Sequence, residues 1–95
     1  MKVTLEFLSL PYIVKIVGVK SMEFDLSGET INDLVSELTD KFGEKLRNFL
    51  IDDSGKLDSV FKIFLNKGGP ITRNKMDTIL HEGDKVTIMM LVAGG

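Results

Sequence analysis

The 95-residue sequence predicts an α+β fold, in which one main helix packs across one face of a mixed β-sheet. Three observations lead to this prediction. Several short segments alternate between apolar and polar residues, as half-buried strands do. One longer segment has apolar residues at helical spacing and is bounded by capping residues. The elements also follow one another in the order strand, strand, helix, strand, turn-rich stretch, strand.

The first two strands are predicted by strict alternation. In the first, one side is apolar and the other polar: Val3, Leu5 and Phe7 against Lys2, Thr4 and Glu6. In the second, the apolar side consists of Met22, Phe24 and Leu26. A period of two places alternate side chains on opposite faces of a sheet. The two strands could form a hairpin, although residues 9–21 make a long connection for one.

The connection between these strands is unusually apolar over residues 10–18. It could add to the core as a short helix with Pro11 in its first turn, where proline is well tolerated. It could instead form a hydrophobic patch for a partner. The core interpretation is favoured, because an additional apolar segment usually packs inside.

The main helix is predicted to begin after Thr30, a good N-cap, with Asp33 as the acidic residue of a capping box. Gly43 is placed to end it. Its apolar stripe comprises Ile31, Leu34, Val35, Leu38 and Phe42. A shorter apolar set at Leu46, Phe49 and Leu50 predicts one or two further helical turns.

The second half of the chain predicts two more strands. Phe61, Ile63 and Leu65 form the apolar side of one, and Val86, Ile88, Met90 and Val92 form that of the last. Gly68-Gly69 before Pro70 predicts a turn rather than a phosphate loop, since no helix follows to bind an anion. A short strand or turn is expected over residues 76–80. The ubiquitin-like β-grasp is the familiar fold with this plan.

Composition excludes most side-chain catalysis. The chain has no cysteine, and its single histidine, His81, is expected at the surface, so we expect no metal site. A net charge of −2 with scattered lysines does not indicate nucleic-acid binding. The alternation of residues 1–8 is unlike a signal peptide, and no apolar run could cross a membrane. We therefore expect a cytoplasmic protein without a nucleic-acid or membrane partner.

The candidate reactive group is the α-carboxylate of Gly95. Residues 1–90 are predicted to form the globular domain, and residues 91–95 a flexible tail in which Ala93 and Gly94 pass through a narrow channel. A carboxylate is a poor acyl donor, and adenylation by ATP would activate it. Nothing here resembles a nucleotide site, so the chain is expected to bind no cofactor, and a partner enzyme would use the ATP.

Three segments resemble the small subunit of molybdopterin synthase and, more distantly, the thiamine-pathway carrier ThiS: residues 92–95, residues 82–86 and residues 30–34. The resemblance implies a sulfur carrier of the MoaD and ThiS type, at most the small sulfur-carrying subunit of the synthase. Its partners would be a ubiquitin-activating-type adenylating enzyme, a sulfur donor protein and the large synthase subunit. It also implies partner contacts at an apolar sheet surface near the tail, which by position would include Met89, Leu91 and Val92. The alternative is that Met89 and Leu91 belong to the core.

Other functions fit the same pattern. The thiocarboxylate of a sulfur carrier could serve tRNA thiolation, thiamine synthesis or cysteine synthesis. Gly95 could form isopeptide bonds with lysines of target proteins, as the C-terminal glycine of ubiquitin does. In a different class, the chain could be a β-grasp protein-binding module in which the two glycines have no role.

Overall fold

The computed structural model describes residues 1–90 of the chain. The strands are β1 (Lys2–Leu8), β2 (Ser21–Asp25), β3 (Phe61–Leu65), β4 (Pro70–Ile71) and β5 (Lys85–Met90). The helices are α1 (Pro11–Val17), α2 (Ile31–Phe42) and α3 (Glu44–Leu50), and a 3₁₀ turn follows β4 at Arg73–Lys75. The predicted order of strands and main helix is therefore confirmed.

One mixed sheet contains these strands in the order β2-β1-β5-β3-β4. The central strands β1 and β5 run parallel, and the other neighbouring pairs are antiparallel. The apolar side chains of the sheet and the apolar stripe of α2 belong to one core cluster. The α+β prediction, with a main helix across one face of a β-grasp sheet, is confirmed.

The core contains the residues that the alternation placed on the inner side of the strands. Among them Leu5, Ile63 and Ile88 are fully buried, and they meet Leu34 and Leu38 from α2. These side chains remove most of their apolar surface from water, which is the main favourable contribution to folding. The opposite face of the sheet carries no helix within residues 1–90.

The apolar connection between β1 and β2 forms α1, as the core interpretation predicts. Pro11 occupies the first turn of this helix, and Gly18 ends it in the left-handed conformation at φ 95°. Leu10 and Ile13 are buried in the core, whereas Tyr12 remains 47% exposed. The segment thus contributes to the core on one side and leaves an aromatic side chain at the surface on the other.

The start of α2 has the predicted capping box. The Thr30 Oγ1 accepts a hydrogen bond from the Asp33 backbone N–H at 3.0 Å, and Asp33 Oδ2 accepts one from the Thr30 N–H at 3.1 Å. The same carboxylate accepts the Glu29 N–H at 2.9 Å. Hydrogen bonds from Glu29 and Thr30 stabilise the charged form and lower the pKa of Asp33. Gly43 follows the helix, as predicted.

The turn-rich stretch differs from the prediction in detail. Gly68 and Gly69 lie in a turn, as expected, but the chain then forms the two-residue strand β4 beside β3. No periodicity predicted this strand, because two residues are too few to show one. Over residues 76–80 the only strand-like pairing in the described chain is a bridge between Ile79 and Thr30.

Candidate functional site

The turn at residues 82–85 fixes the beginning of β5 against β1. The Gly83 N–H donates to the Lys2 carbonyl oxygen at 2.8 Å, and the Lys2 N–H donates to Glu82 Oε1 at 3.1 Å. Gly83 has φ 84°, a conformation that costs glycine little. This turn is one of the three segments that resemble the molybdopterin synthase small subunit. Its hydrogen bonds give it a structural role, because they fix where β5 starts.

Asp84 and Asn66 fix the same end of β5 against β3. Asp84 accepts the His81 backbone N–H at 2.9 Å and the Asn66 Nδ2 at 3.1 Å. In return, Asn66 Oδ1 accepts the Lys85 N–H at 2.9 Å. With hydrogen bonds on both sides, the register of β5 in the sheet is set at its first residue.

The other end of β5 leads to the predicted reactive segment. Because β1 and β5 are parallel, both end at the same edge of the sheet, where Met89 pairs with Leu8. Met89 also pairs with Lys62 of β3, and Met90, the last described residue, pairs with Phe61. Residues 91–95 therefore follow directly from this edge.

At this edge the helix-free face of the sheet carries three apolar side chains and one lysine. We define the exit face as the side chains of Leu8, Lys62, Phe64 and Met89. Leu8 is 44% exposed, and the other three are half-buried. Alternation assigns them to this face, since their chain neighbours belong to the core cluster. The exit face thus offers apolar contact area at the end of β5.

The rest of the same face is charged, beginning with Glu6, which lies in one row with Thr87 and Phe64. Lys85 Nζ lies 3.3 Å from Glu6 Oε1, and Lys2 Nζ lies 4.0 Å from Glu23 Oε2. Thr87 Oγ1 also donates to Glu6 Oε1 at 3.4 Å. A partner that buries apolar surface would therefore meet the exit face rather than this end, where it would have to remove paired charges from water.

Among the predicted site residues, only Met89 lies within the described chain. It is on the helix-free face, as expected from its position, whereas Met90 packs against the core. The predicted contacts Leu91 and Val92, the predicted channel residues Ala93 and Gly94, and Gly95 lie outside the described residues. Their roles remain predictions.

Leu8 and Phe64 were not predicted as site residues. Both occupy outward positions of strands whose other outward residues are polar, such as Glu6 and Lys62. The sequence feature that could have identified them is an apolar residue at a position where alternation predicts a polar one. It could not be assigned to the site without the strand order, which places β1 and β3 on either side of β5.

Side-chain chemistry elsewhere in residues 1–90 is sparse. This part of the chain contains no cluster of three potential metal-ligating residues. His81 is 77% exposed and lies 3.8 Å from Asp84 Oδ2, consistent with the predicted surface position. None of the helices in the described residues is long and apolar enough to span a membrane.

Comparison with known proteins was made by sequence and by structure. No protein-family model matches the chain. A protein of Archaeoglobus fulgidus assigned as a sulfur carrier is 32% identical over 74 residues, which are 78% of this chain and 83% of that protein. This identity, over most of both chains, is high enough to place the two proteins in one family.

Solved structures agree on the fold. SAMP1 from Haloferax volcanii superposes with a TM-score of 0.78 at 18% identity, covering all of both chains. A chain of the Amycolatopsis orientalis BexX/CysO complex has a TM-score of 0.73 at 21% identity, covering 98% of this chain and 99% of that one. Subunit 1 of a molybdopterin converting factor assigned in Pyrococcus furiosus has a TM-score of 0.69 at 19% identity, over 97% and 99% of the two chains.

These structures share the ubiquitin-like fold. Two of their names refer to a complex or to one subunit of a larger factor. With the same fold, and with a sulfur carrier as its relative in sequence, the chain belongs to the ubiquitin-like sulfur carrier family of the MoaD and ThiS type.

Proposed function

We propose that the chain carries sulfur as a thiocarboxylate on Gly95 and donates it in molybdopterin synthesis. The observation that supports this most directly is the sequence relationship to a sulfur carrier. The geometry of β5 is compatible with it, because the strand reaches the edge of the sheet five residues before Gly95. Five extended residues span at most about 17 Å, which is enough to enter the active site of a partner.

The chemistry begins with a partner enzyme that adenylates the chain. A carboxylate oxygen of Gly95 attacks the α-phosphorus of ATP, and pyrophosphate leaves. Hydrosulfide delivered by a sulfur donor protein then attacks the acyl carbon, the bond between this carbon and the oxygen bound to phosphorus breaks, and AMP leaves with that oxygen. One carboxylate oxygen is thereby replaced by sulfur. In this proposal the adenylating enzyme binds the ATP and stabilises the charge on its phosphates.

Each part of the chain has a role in the proposal. Residues 1–90 form the body that the partner holds, and residues 91–95 enter its active site. Ala93 and Gly94 have little or no side chain, so a narrow channel would admit them. Met89 on the exit face would contact the partner together with Leu91 and Val92. Methionine suits a surface that meets more than one partner, because its side chain is flexible and polarizable.

The order in which the partner proteins act follows from the chemistry of the thiocarboxylate. The adenylating enzyme, of the ubiquitin-activating type, makes the acyl-adenylate, and the sulfur donor protein supplies sulfur. The large subunit of molybdopterin synthase would then receive the thiocarboxylate and pass its sulfur to the cofactor precursor. The P. furiosus structure named for a molybdopterin converting factor has the same fold as this chain, which is compatible with this assignment.

The experiment is an intact-mass measurement after incubation with the cognate adenylating enzyme, ATP and a sulfide source. We expect a mass increase equal to the exchange of one oxygen for one sulfur, located in the C-terminal peptide. Adding the large synthase subunit and the cofactor precursor should return the original mass. An unchanged mass, under conditions that convert a known carrier, would contradict sulfur transport.

The matched control is Gly95→Ala. It adds one methyl group beside the reacting carbonyl and changes none of residues 1–90, so we expect no thiocarboxylate and an unchanged unfolding midpoint. Conversion of Gly95→Ala at the wild-type rate would contradict the requirement for glycine. An unfolded variant would contradict the division between residues 1–90 and 91–95.

Protein modification is a second candidate, favoured by the full-length superposition with a small archaeal modifier protein. An amine of a target lysine would attack the same acyl-adenylate, AMP would leave, and an isopeptide bond would form. Protein adducts in cells that disappear with Gly95→Ala would support this function. Because sulfur transfer and modification share one intermediate, the two functions are compatible.

A further inference from the structure

Three adjoining depressions surround α1 on the surface beside the exit face. The largest, about 600 Å³, lies at the junction of β1 and α1 and has mostly apolar walls, with Lys15 and Lys20 among its lining residues. A second, about 450 Å³, is lined by Tyr12, Lys15, Ile16 and Lys45. A third, about 280 Å³, adds Asn48 and Phe49. We call these depressions together the α1 surface.

The charge of the α1 surface is one-sided. Three lysines line it, Lys15, Lys20 and Lys45, and no aspartate or glutamate of the described chain does. None of the three forms an ion pair with a carboxylate of residues 1–90. This local excess of positive charge contrasts with the net charge of −2 of the whole chain. A ligand of complementary charge would therefore be acidic.

The apolar part of the α1 surface packs on aromatic rings that connect it to the core. The ring of Tyr12 lies 4.7 Å from that of Phe49, which in turn meets Phe61 of the core edge-on at 5.4 Å. Although it is supported in this way, Tyr12 remains 47% exposed, as does 44% of Leu8 at the other end of the surface. A half-exposed tyrosine that packs on another aromatic ring is typical of the residues that dominate protein–protein binding energy.

We propose that the α1 surface docks an acidic segment of a partner protein, one whose apolar side chains enter the depressions while flanking aspartates or glutamates meet Lys15, Lys20 and Lys45. The mostly apolar walls and the small number of lysines favour a protein segment over a nucleic acid, which would require more phosphate contacts. Leu8 belongs to both the α1 surface and the exit face. A partner held at α1 would therefore lie next to the segment that leads to Gly95.

This proposal goes beyond the proposed function, since docking at α1 requires no reaction at Gly95. The test uses the full chain in its native host, with a photo-crosslinking benzoyl-phenylalanine at Tyr12. The matched control places the same probe at Ile79, which is 50% exposed and lines none of the three depressions. We expect a protein adduct from position 12 that is absent from position 79.

Sequencing the crosslinked peptide decides the chemistry of the partner. A segment with apolar residues flanked by aspartate or glutamate supports the proposal. A segment without carboxylates, a nucleic-acid adduct, or equal adducts from both positions would overturn it. The adduct should also form from a Gly95→Ala chain, so the result does not depend on the sulfur chemistry.

Charge reversal provides the second measurement, made with the identified segment as a synthetic peptide. Replacing Lys15, Lys20 and Lys45 with glutamate should weaken binding by about tenfold or more. The control replaces Lys56, Lys67 and Lys75, three exposed lysines outside the α1 surface, and should leave the affinity unchanged. Peptides with lysine in place of their acidic residues should recover affinity for the reversed chain. If both triple variants lost affinity equally, the effect would come from the net charge of the chain and not from the α1 surface, and the proposal would be refuted.

Discussion

The two faces of the sheet are built from the same strands but differ in what covers them. On the covered face, alternate side chains meet the helices and are almost completely buried, as Leu5 and Ile88 are. On the helix-free face, charged pairs occupy one end and the exit face occupies the other. Folding requires only the covered face, so the apolar residues of the exit face call for a different explanation.

The two faces also give the same residue type different neighbours. Met90 packs against the core, whereas its neighbour Met89 lies on the helix-free face, where it pairs with Leu8 and Lys62. A surface that selection only had to keep soluble would favour polar residues at such positions. An apolar group at the end of β5 is better explained by the partner binding that we propose. Changes on the two faces should therefore have separable effects, on stability for one and on partner affinity for the other.

The largest effect on stability is expected from Leu38→Ala on the covered face. Leu38 is fully buried between α2 and the sheet, so its truncation should lower the free energy of unfolding by about 2–5 kcal/mol. Urea unfolding followed by circular dichroism measures this change. The control is Ser36→Ala on the exposed side of the same helix, which should change stability by less than about 0.5 kcal/mol. Equal losses for the two variants would contradict the assignment of the core.

Much of the covered face could be predicted from sequence because its signals are local. Alternation identified Val3, Leu5 and Phe7 as core residues, and Thr30 with Asp33 identified the start of α2. Each of these signals lies within one turn or one strand. The prediction of the fold rested on them and on the order of the elements.

The exit face could be predicted only in part because it is assembled across strands. The position of Met89 near Gly95 predicts a partner contact, but Leu8 lies 81 positions earlier in the chain. Their pairing depends on the parallel contact of β1 with β5, which no local pattern encodes. The short strand β4 escaped prediction for a similar reason, since only its pairing with β3 defines it.

The exit face should respond to Met89→Glu through binding. A carboxylate placed in this apolar patch must be removed from water when a partner binds, so we expect affinity for the adenylating enzyme to fall by about tenfold, or about 1.4 kcal/mol. Isothermal titration calorimetry measures the affinity. The thermal unfolding midpoint should change little, because Met89 lies outside the core cluster.

The matched control for this prediction is Glu23→Gln at the charged end of the same face. Glu23 is exposed and pairs with Lys2 only at 4.0 Å, so its neutralisation should leave affinity unchanged. An equal loss for both variants would indicate that the partner covers the whole face. No loss for Met89→Glu would remove the exit face from the binding site.

A smaller effect, visible in the pH dependence of stability, is expected from Asp33→Asn. The folded state lowers the pKa of Asp33 through the N–H groups of Glu29 and Thr30, so this carboxylate stabilises the fold above its ordinary pKa of 3.8. That contribution is lost as the pH falls through the lowered folded-state pKa. Asparagine keeps an acceptor oxygen but not the charge. The stability difference between wild type and Asp33→Asn should therefore be greatest above pH 3.8 and shrink in acid, as measured by urea unfolding at several pH values.

The smallest effect is expected at the charged end of the helix-free face, from Glu6→Gln. The ion pair between Glu6 and Lys85 is partly exposed, with 28% and 50% of the side chains accessible, so water screens it. Exposed pairs contribute about 0–1 kcal/mol. A double-mutant cycle with Lys85→Gln should give a coupling energy in this range that decreases with added salt. A larger, salt-independent coupling would make this end part of the machinery that positions β5. In that case, mutations at the charged end would shift β5 and thereby change partner binding at the exit face. The effects of mutations at the two ends could then no longer be separated.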